Sequence, residues 1–126
     1  MTAHRFKVLI VEDDPLIAML LADFLEEIGM QVCDTASSST EAIRSAERHQ
    51  PDLVLMDVRL EGESDGIDAA IEIDKRNRTP IIFVTGSSDP TTIARIHENY
   101  PATVLLKPIQ RRQLRTAIEK VLGNTR

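Results

Sequence analysis

The chain alternates short apolar segments, rich in branched residues, with segments in which apolar residues recur at helical spacing. The short segments predict five strands, at residues 6–11, 30–35, 52–57, 81–84 and 103–106. A helical pattern follows each strand, so the chain repeats one β–α unit. Such a repeat predicts a doubly wound α/β fold, in which a five-stranded parallel sheet carries helices on both faces and every crossover is right-handed.

Capping signals predict where the helices begin and end. Asp14-Pro15 starts the first helix, with aspartate as the N-cap and proline at the first helical position, and Gly29 stops it. Ser38-Ser39-Thr40-Glu41 forms a capping box at the start of the second helix. The fourth helix starts at Asp89-Pro90 and ends at Tyr100-Pro101.

Apolar residues at helical spacing predict which face of each helix meets the sheet. The predicted inward residues are Ile17, Leu20, Leu21, Phe24 and Ile28 in the first helix, Ala42, Ile43 and Ala46 in the second, Ile67, Ala70 and Ile71 in the third, and Leu114, Ala117, Ile118, Val121 and Leu122 in the fifth. Gly66 precedes the third helix, and the fifth helix stops at Gly123.

Size and composition limit the possible classes of function. The 126 residues, 42% hydrophobic and 28% charged, suit one globular domain spanning residues 1–126, with an ordered core from about residue 5 to residue 123. A net charge of −5 argues against direct nucleic-acid binding, which needs clustered basic residues. The apolar runs are far shorter than the roughly 20 residues of a membrane span, and the N-terminus carries no secretory signal, so we expect a cytoplasmic protein without membrane contact.

Polar residues stand at the ends of four of the predicted strands. They are Glu12-Asp13 after the first strand, Asp57 closing the third, Thr85 after the fourth and Lys107 after the fifth. In an open parallel sheet, ligands collect outside the carboxyl ends of the strands, so these residues should meet at one place. Three acids, one hydroxyl and one lysine together predict a site for magnesium and a phosphoryl group.

The chain resembles, nearly end to end, the receiver domain of bacterial two-component response regulators. The segments that carry the resemblance are Val8-Leu9-Ile10-Val11-Glu12-Asp13-Asp14-Pro15, Pro51-Asp52-Leu53-Val54-Leu55-Met56-Asp57, Asp65-Gly66, Val84-Thr85-Gly86 and Leu106-Lys107-Pro108. Each segment alone is weak evidence, but together and in this order they are highly specific. The resemblance implies a flavodoxin-like sheet with the strand order 2-1-3-4-5.

The family's chemistry implies a role for each polar side chain. Asp57 would be the phosphoacceptor, whose carboxylate attacks the phosphoryl group of a phosphohistidine on a histidine kinase or a histidine phosphotransfer protein. Lys107 would supply a positive charge for the phosphoryl oxygens, and Thr85 would donate a hydrogen bond once the phosphoryl group is present. Such a domain is not an enzyme acting on other substrates, because it catalyses only its own phosphorylation and dephosphorylation.

The resemblance also implies Mg²⁺ as the cofactor, for which Mn²⁺ could substitute. Asp13 and Asp57 would be direct ligands, Glu12 would act mostly through water, and the backbone carbonyl of Arg59 would complete the protein ligands. The metal would offset the repulsion among three carboxylates and an incoming phosphoryl group. Asp14 precedes a proline, and its position suits a helix cap better than a metal ligand.

The chain departs from the family pattern where phosphorylation is usually reported. Receivers usually carry an aromatic residue three positions before the lysine, and its rotation reports phosphorylation; this chain has Val104. Tyr100 either contributes instead or simply covers the core. The loop after Asp57 has no proline and is one residue longer than is usual. Arg59 and Ser87 occupy positions that, in the family, tune the lifetime of the phosphoaspartate.

We therefore expect a stand-alone receiver that acts as a phosphorylation-dependent switch. Its output would pass through the face formed by the fourth helix, the fifth strand and the fifth helix, or through onward phosphotransfer in a relay. An equally permitted alternative is a receiver cut from a longer response regulator or hybrid kinase. A phosphatase with an aspartate nucleophile fits less well, because it needs a second acid where this chain has Arg59.

Overall fold

The computed structural model describes residues 5–60, 62, 64–86, 90–99 and 103–123, with the backbone alone at residue 99. Strands and helices alternate through these residues as the sequence predicts. The strands are β1 (Lys7–Val11), β2 (Gln31–Ala36), β3 (Leu53–Met56), β4 (Ile81–Thr85) and β5 (Thr103–Leu106). The helices are α1 (Pro15–Glu27), α2 (Ser39–His49), α3 (Gly66–Asn77), α4 (Pro90–Asn99) and α5 (Arg111–Leu122).

The strands form one parallel sheet in the order β2-β1-β3-β4-β5. This order is the flavodoxin-like 2-1-3-4-5 arrangement, so the predicted fold class is confirmed. Each strand end lies within one residue of its predicted position. Because the strands all run in one direction, the carboxyl ends of β1, β3, β4 and β5 lie along one edge of the sheet.

The helices bury the sheet on both faces. On one face, α1 and α5 cover a core that includes Ile10, Leu55 and Ile82. On the other face, α2, α3 and α4 cover a core that includes Met56 and Phe83. Successive residues of a strand point to opposite faces, so each inner strand contributes to both cores. Every residue of β3 is buried, as expected for the central strand of a parallel sheet.

Two residues predicted to face the core are exposed. Leu20 in α1 has 47% of its surface exposed, and Ile71 in α3 has 37%. The predicted set lacked Leu25 and Ile73, which are fully buried. Each residue turns a helix by about 100°, so Leu20 lies well to one side of the line through Leu21 and Leu25. The other predicted inward residues are buried or partly buried.

The helix caps match the sequence with one difference. Asp14 caps α1 by accepting from the backbone N–H two residues later, at 2.9 Å, and Gly29 follows that helix with a φ of +85°. Ser38 caps α2 by accepting from the N–H of Glu41 at 3.2 Å. The predicted capping box is wrong in its second half, because the Glu41 carboxylate accepts from the N–H of Ser37 instead of Ser38.

The start of α4 and the end of α5 lie where the sequence predicts them. α4 begins at Pro90, the predicted first helical position. Asp89, Tyr100 and Pro101 lie outside the described residues, so the predicted cap and the predicted end signal of this helix stay predictions. The last residue of α5 is Leu122, directly before Gly123, as predicted. Among the helices that the structure describes, none has the length and apolar character that crossing a bilayer requires.

Candidate functional site

The carboxyl ends of β1, β3 and β5 bring three charged side chains into contact. Lys107 follows β5, and its Nζ lies 2.8 Å from Oε1 of Glu12 and 3.1 Å from Oδ2 of Asp57. Glu12 and Asp57 are each only 5% exposed. The lysine therefore bridges two buried carboxylates. Asp57 is 45 positions from Glu12 and 50 positions from Lys107 in the chain. The three residues meet here because the parallel sheet places their strand ends side by side.

Asp13 joins the two buried acids in one cluster. Glu12, Asp13 and Asp57 each offer one carboxylate oxygen, and these three oxygens lie within 4.8 Å of one another. Asp13 is exposed, so the cluster is open to solvent on that side. Asp14 instead caps α1, as the sequence predicts. A set of carboxylate oxygens with access to water fits Mg²⁺, which takes few carboxylates and keeps several water molecules.

Burial and charge oppose each other within this cluster. Burial raises the pKa of Glu12 to about 6, even though hydrogen bonds from Lys107 and from the N–H of Asp14 lower it. Burial alone would lower the pKa of Lys107, but the Glu12 and Asp57 carboxylates outweigh burial and raise that pKa above its ordinary value. The lysine is therefore held as a cation, and its charge offsets the repulsion between the two buried acids.

The backbone around Asp57 is fixed on two sides. Its N–H donates to the carbonyl of Val11 at 2.9 Å, which ties the residue to the end of β1. On the other side, the start of α3 lies against the Asp57 carbonyl, and a Cβ at Gly66 would be 1.8 Å from that oxygen. The N–H of Gly66 also donates to the carbonyl of Val58 at 2.7 Å. A residue with a side chain does not fit at position 66 unless this backbone moves.

The backbone of Arg59 lies beside Asp57, and the backbone of Thr85 is bonded to Lys107. The N–H of Arg59 is 3.4 Å from Oδ1 of Asp57, so the backbone of this predicted ligand residue passes next to the carboxylate, while its side chain is exposed. Thr85 is the last residue of β4 and is 1% exposed. Its carbonyl accepts from the N–H of Lys107 at 2.9 Å, so the pairing of β4 with β5 holds the threonine and the lysine together.

One contact near the site was not predicted from the sequence. Arg95 of α4 donates from Nη1 to Oδ2 of Asp65 at 2.8 Å, and its Nη2 lies 3.6 Å from Oδ1 of Asp68. Asp65 is also the N-cap of α3, in a full capping box with Asp68. Burial would raise the pKa of Asp65, but the Asp68 N–H and the Arg95 guanidinium lower it. Asp65-Gly66 was visible in the sequence as a segment typical of the family, yet nothing there indicated its partner in α4.

Of the positions where the chain departs from the family pattern, Val104 lies among the described residues. Val104 lies in β5 and packs, partly buried, against the core cluster that contains Phe83 and Ile96. An aliphatic side chain thus fills the position where receivers usually carry an aromatic one. Ser87 and Tyr100 lie outside the described residues, so the roles expected for them stay predictions.

Comparisons with known proteins agree with the geometry. The response regulator receiver domain family matches residues 8–119. The chain is similar to the transcriptional regulatory protein PdtaR of Mycobacterium tuberculosis, with 39% identity over 120 residues that cover 95% of this chain and 58% of PdtaR. It is similar to the signal receiver domain of a modulated diguanylate cyclase from Desulfovibrio desulfuricans G20, with a TM-score of 0.89, 34% identity and 96% of each chain covered.

A further solved structure shows a metal in a similar domain. The receiver domain of a sensor histidine kinase from Pseudomonas aeruginosa PAO1 has a magnesium ion coordinated in its active site cleft. The likeness has a TM-score of 0.85 and 30% identity, and it covers 95% of this chain and 99% of that one.

A parallel five-stranded sheet with acids, a threonine and a lysine at its carboxyl edge defines a class of signalling domains. The chain belongs to the response regulator receiver domain family. It spans a little over half the length of the curated relatives that it first matches, 58% for PdtaR, and this relative is named as a regulator.

Proposed function

We propose that this receiver accepts a phosphoryl group on Asp57, and that the phosphorylated state changes its contacts with other proteins. The observation that carries the proposal is the placement of Asp57 as a buried carboxylate 3.1 Å from Lys107, with two further acids beside it. Acids packed together destabilise a fold, so such a cluster is better explained by a function than by stability. The proposal applies equally to a stand-alone protein and to a receiver within a longer regulator or hybrid kinase.

The proposed cofactor is Mg²⁺, for which Mn²⁺ can substitute. Asp13 and Asp57 are proposed as direct ligands, Glu12 as a ligand through water, and the Arg59 carbonyl as the last protein ligand. The donor set supports this assignment, because three carboxylate oxygens lie within 4.8 Å of one another. When bound, the ion would supply positive charge to the carboxylates and to the phosphoryl oxygens.

The proposed donor is a phosphohistidine on a histidine kinase or a histidine phosphotransfer protein. A carboxylate oxygen of Asp57 bonds to phosphorus as the phosphorus–nitrogen bond breaks, and the imidazole nitrogen keeps the electron pair of that bond. The product is an acyl phosphate. Lys107, already beside Asp57, can donate to the new phosphoryl oxygens, and Thr85 is proposed to donate its hydroxyl from the end of β4.

An apolar strip on α1, formed by Leu16, Met19 and Leu20, supports docking of the donor beside the site. These residues are 76%, 64% and 47% exposed, and spacings of three and four positions put them on one side of the helix. The strip begins at the start of α1, only a few residues after Glu12 and Asp13. Large apolar side chains exposed together mark contact surfaces, so we assign this strip to the phosphodonor.

The proposed output surface is the face formed by α4, β5 and α5. Leu106, at the end of β5, is 48% exposed, and Arg112 and Arg115 of α5 are exposed. These side chains offer apolar and basic contacts to a protein partner. A net charge of −5 does not favour nucleic acid, and we propose that the protein acts in the cytoplasm without touching a membrane.

Phosphorylation by a small donor tests the proposed function. With acetyl phosphate and Mg²⁺, the wild type should gain one phosphoryl group, stable in acid and lost in base, as measured by intact-mass spectrometry. Chelation with EDTA should prevent the reaction, and Asp57→Asn should gain nothing. The matched control is Asp52→Asn, because Asp52 stands just before β3 while Asp57 stands just after it. Stoichiometric labelling of folded Asp57→Asn would overturn the assignment.

A further inference from the structure

The loop between Asp57 and α3 is closed tightly at its far end. The N–H of Gly66 donates to the carbonyl of Val58 at 2.7 Å, so the first residue of α3 is bonded to the first part of the loop. A Cβ at Gly66 would lie 1.8 Å from the Asp57 carbonyl oxygen, which shows that the two backbones are already in contact. Because no space separates them, the start of α3 and the backbone of Asp57 must move together.

Arg95 holds the start of α3 from the neighbouring helix. Its guanidinium donates to Asp65 at 2.8 Å and lies 3.6 Å from Asp68. Asp65 directly precedes Gly66, so the bond acts where the loop joins α3. Hydrogen bonds between ionised groups are shorter and stronger than neutral ones. Arg95 is 44% exposed and Asp65 is 29% exposed, so the pair remains partly accessible to solvent.

The Arg95–Asp65 ion pair matters for the position of α4 because few of the described side chains of this helix are buried. Among the α4 side chains that the structure describes, Ile96 alone is fully buried. Each of the other four helices has at least two buried residues. An apolar contact and an ion pair at adjacent positions, Ile96 and Arg95, therefore restrain α4. A helix with few buried contacts is more easily displaced than one with many.

We propose that Arg95 is a positioning residue for the loop after Asp57, and that the Arg95–Asp65 pair couples the state of the site to the position of α4. The inference rests on the proposed function, since it needs Asp57 to be the acceptor. A group bound at Asp57 that displaces its backbone also displaces Gly66, which contacts it, and Asp65, which precedes Gly66. The guanidinium transmits that shift to α4.

This route does not pass through Thr85 and Lys107, the two residues proposed to donate to the phosphoryl group. Those residues lie on β4 and after β5, whereas the loop, Asp65 and Arg95 connect the site to α4 through α3. It requires no aromatic residue at Val104. Coupling between two sites is reciprocal, so a protein that binds α4 should also change the affinity of the Asp57 site for its ligands.

Amide NMR shifts on adding beryllofluoride and Mg²⁺ test the coupling, because beryllofluoride mimics a phosphoryl group. The variants are Arg95→Gln and Asp65→Asn. Asparagine caps a helix as well as aspartate does, so Asp65→Asn removes the charge and keeps the cap. In both variants the shifts of α4 amides should fall to about half of wild type or less, while those of Thr85 and Lys107 persist. The Mg²⁺ affinity should fall about threefold.

Three comparisons distinguish positioning from a general loss of structure. Arg95→Lys should restore part of the α4 response, because an ammonium group can still pair with Asp65. The double variant Arg95→Gln/Asp65→Asn should lose no more than either single variant. Arg76→Gln is the matched control, because Arg76 is an arginine of similar exposure at the other end of α3, paired with Glu47 and Glu72. It should leave the α4 shifts and the Mg²⁺ affinity unchanged.

The contrary outcomes are distinct. If Arg95→Gln keeps the full α4 response and the wild-type Mg²⁺ affinity, the pair does not couple the site to α4. If the effects of the two single variants add in the double variant, Arg95 and Asp65 act independently, and the proposal is likewise wrong. Failure of the proposed function looks different, because the wild type itself would then show no response to beryllofluoride that depends on Asp57.

Discussion

At the scale of single residues, one lysine compensates the charge of two buried acids at the site. Glu12 and Asp57 are buried carboxylates, and Lys107 places a cation 2.8 Å from the first and 3.1 Å from the second. The lysine also ties β5 to β1 and β3, so the same contact organises the carboxyl edge of the sheet. Removing one partner of such a pair leaves a buried charge without compensation, which is usually strongly destabilising.

Glu12 should make the stability of the metal-free protein depend on pH. Burial raises its pKa from the ordinary 4.5 to about 6, so the folded protein binds this proton more tightly than the unfolded chain does. The resulting stabilisation is present below pH 4.5 and is lost as the pH rises through about 6. We expect the free energy of unfolding to lose on the order of 2 kcal/mol from this group.

Urea unfolding in EDTA at several pH values across that window measures the effect. Glu12→Gln has no ionisable group at this position, so its stability should fall less than that of the wild type as the pH rises. An identical pH dependence in the two proteins would show that Glu12 titrates alike in the folded and unfolded states.

Gly66 should tolerate no side chain, because its Cβ would lie 1.8 Å from the Asp57 carbonyl oxygen. We expect Gly66→Ala to lower the free energy of unfolding by more than about 2 kcal/mol and to slow phosphorylation, since the Asp57 backbone must shift. Gly123→Ala is the control: Gly123 has a φ of −61° and nothing within 4 Å of its Cβ position. Equal stabilities of the two variants in chemical denaturation would contradict this close contact.

The adjacent acids Asp13 and Asp14 should differ in their effect on metal binding. Asp13→Asn should weaken Mg²⁺ binding about tenfold or more, because its carboxylate belongs to the acidic cluster. Asp14→Asn should leave the affinity nearly unchanged, because asparagine can replace aspartate as the cap of α1. Titration calorimetry on both folded variants measures the difference. Equal losses of affinity would mean that the acids have been assigned wrongly.

At the scale of elements, the sequence predicted every strand to within one residue at each end, because apolar runs flanked by polar residues mark strands clearly. The face of α1 was harder to predict. Leu20 and Leu21 are identical neighbours, and only packing against the sheet decides that Leu21 and Leu25 turn inward. Periodicity narrows the choice of face but does not resolve adjacent apolar residues.

Sequence patterns predict the residues at the strand ends of the site, but not the contact between α3 and α4 beside it. Strand ends meet by topology, so Glu12, Asp57 and Lys107 could be brought together from the sequence alone. The bond from Arg95 to Asp65 depends on how α4 lies against α3, and the two partners are 30 positions apart in the chain. No local sequence pattern encodes how these two helices pack against each other. The two-helix contact therefore required the structure.

The exposed strip on α1 should matter for a protein donor and not for a small one. Met19→Ala should change the free energy of unfolding by less than about 0.5 kcal/mol, because the side chain is 64% exposed. Phosphotransfer to this variant should be about tenfold slower than to the wild type when the donor is a histidine kinase that phosphorylates the wild type. The rate with acetyl phosphate should stay the same. Glu26→Ala, an exposed change elsewhere on α1, is the control, and equal slowing with both donors would contradict the assignment.

At the scale of the whole molecule, the proposed donor surface on α1 and the α4 part of the proposed output surface lie on different faces of the sheet. The α1 strip belongs to the helix layer on one face of the sheet, and α4 lies on the opposite face. Asp57 stands between them at the end of the central strand, tied to β1 through Val11 and to α3 through Gly66. A change of charge at this one residue can therefore reach both faces through backbone contacts.

Borohydride reduction of the phosphorylated protein measures most directly whether Asp57 is the acceptor. The reagent converts the acyl phosphate of an aspartate into homoserine, and peptide mass spectrometry then locates the modified position. We expect homoserine at position 57, and at no other acid, in samples given acetyl phosphate and Mg²⁺. Homoserine at position 13, or an unmodified Asp57 in protein that carries a phosphoryl group, would contradict the proposal.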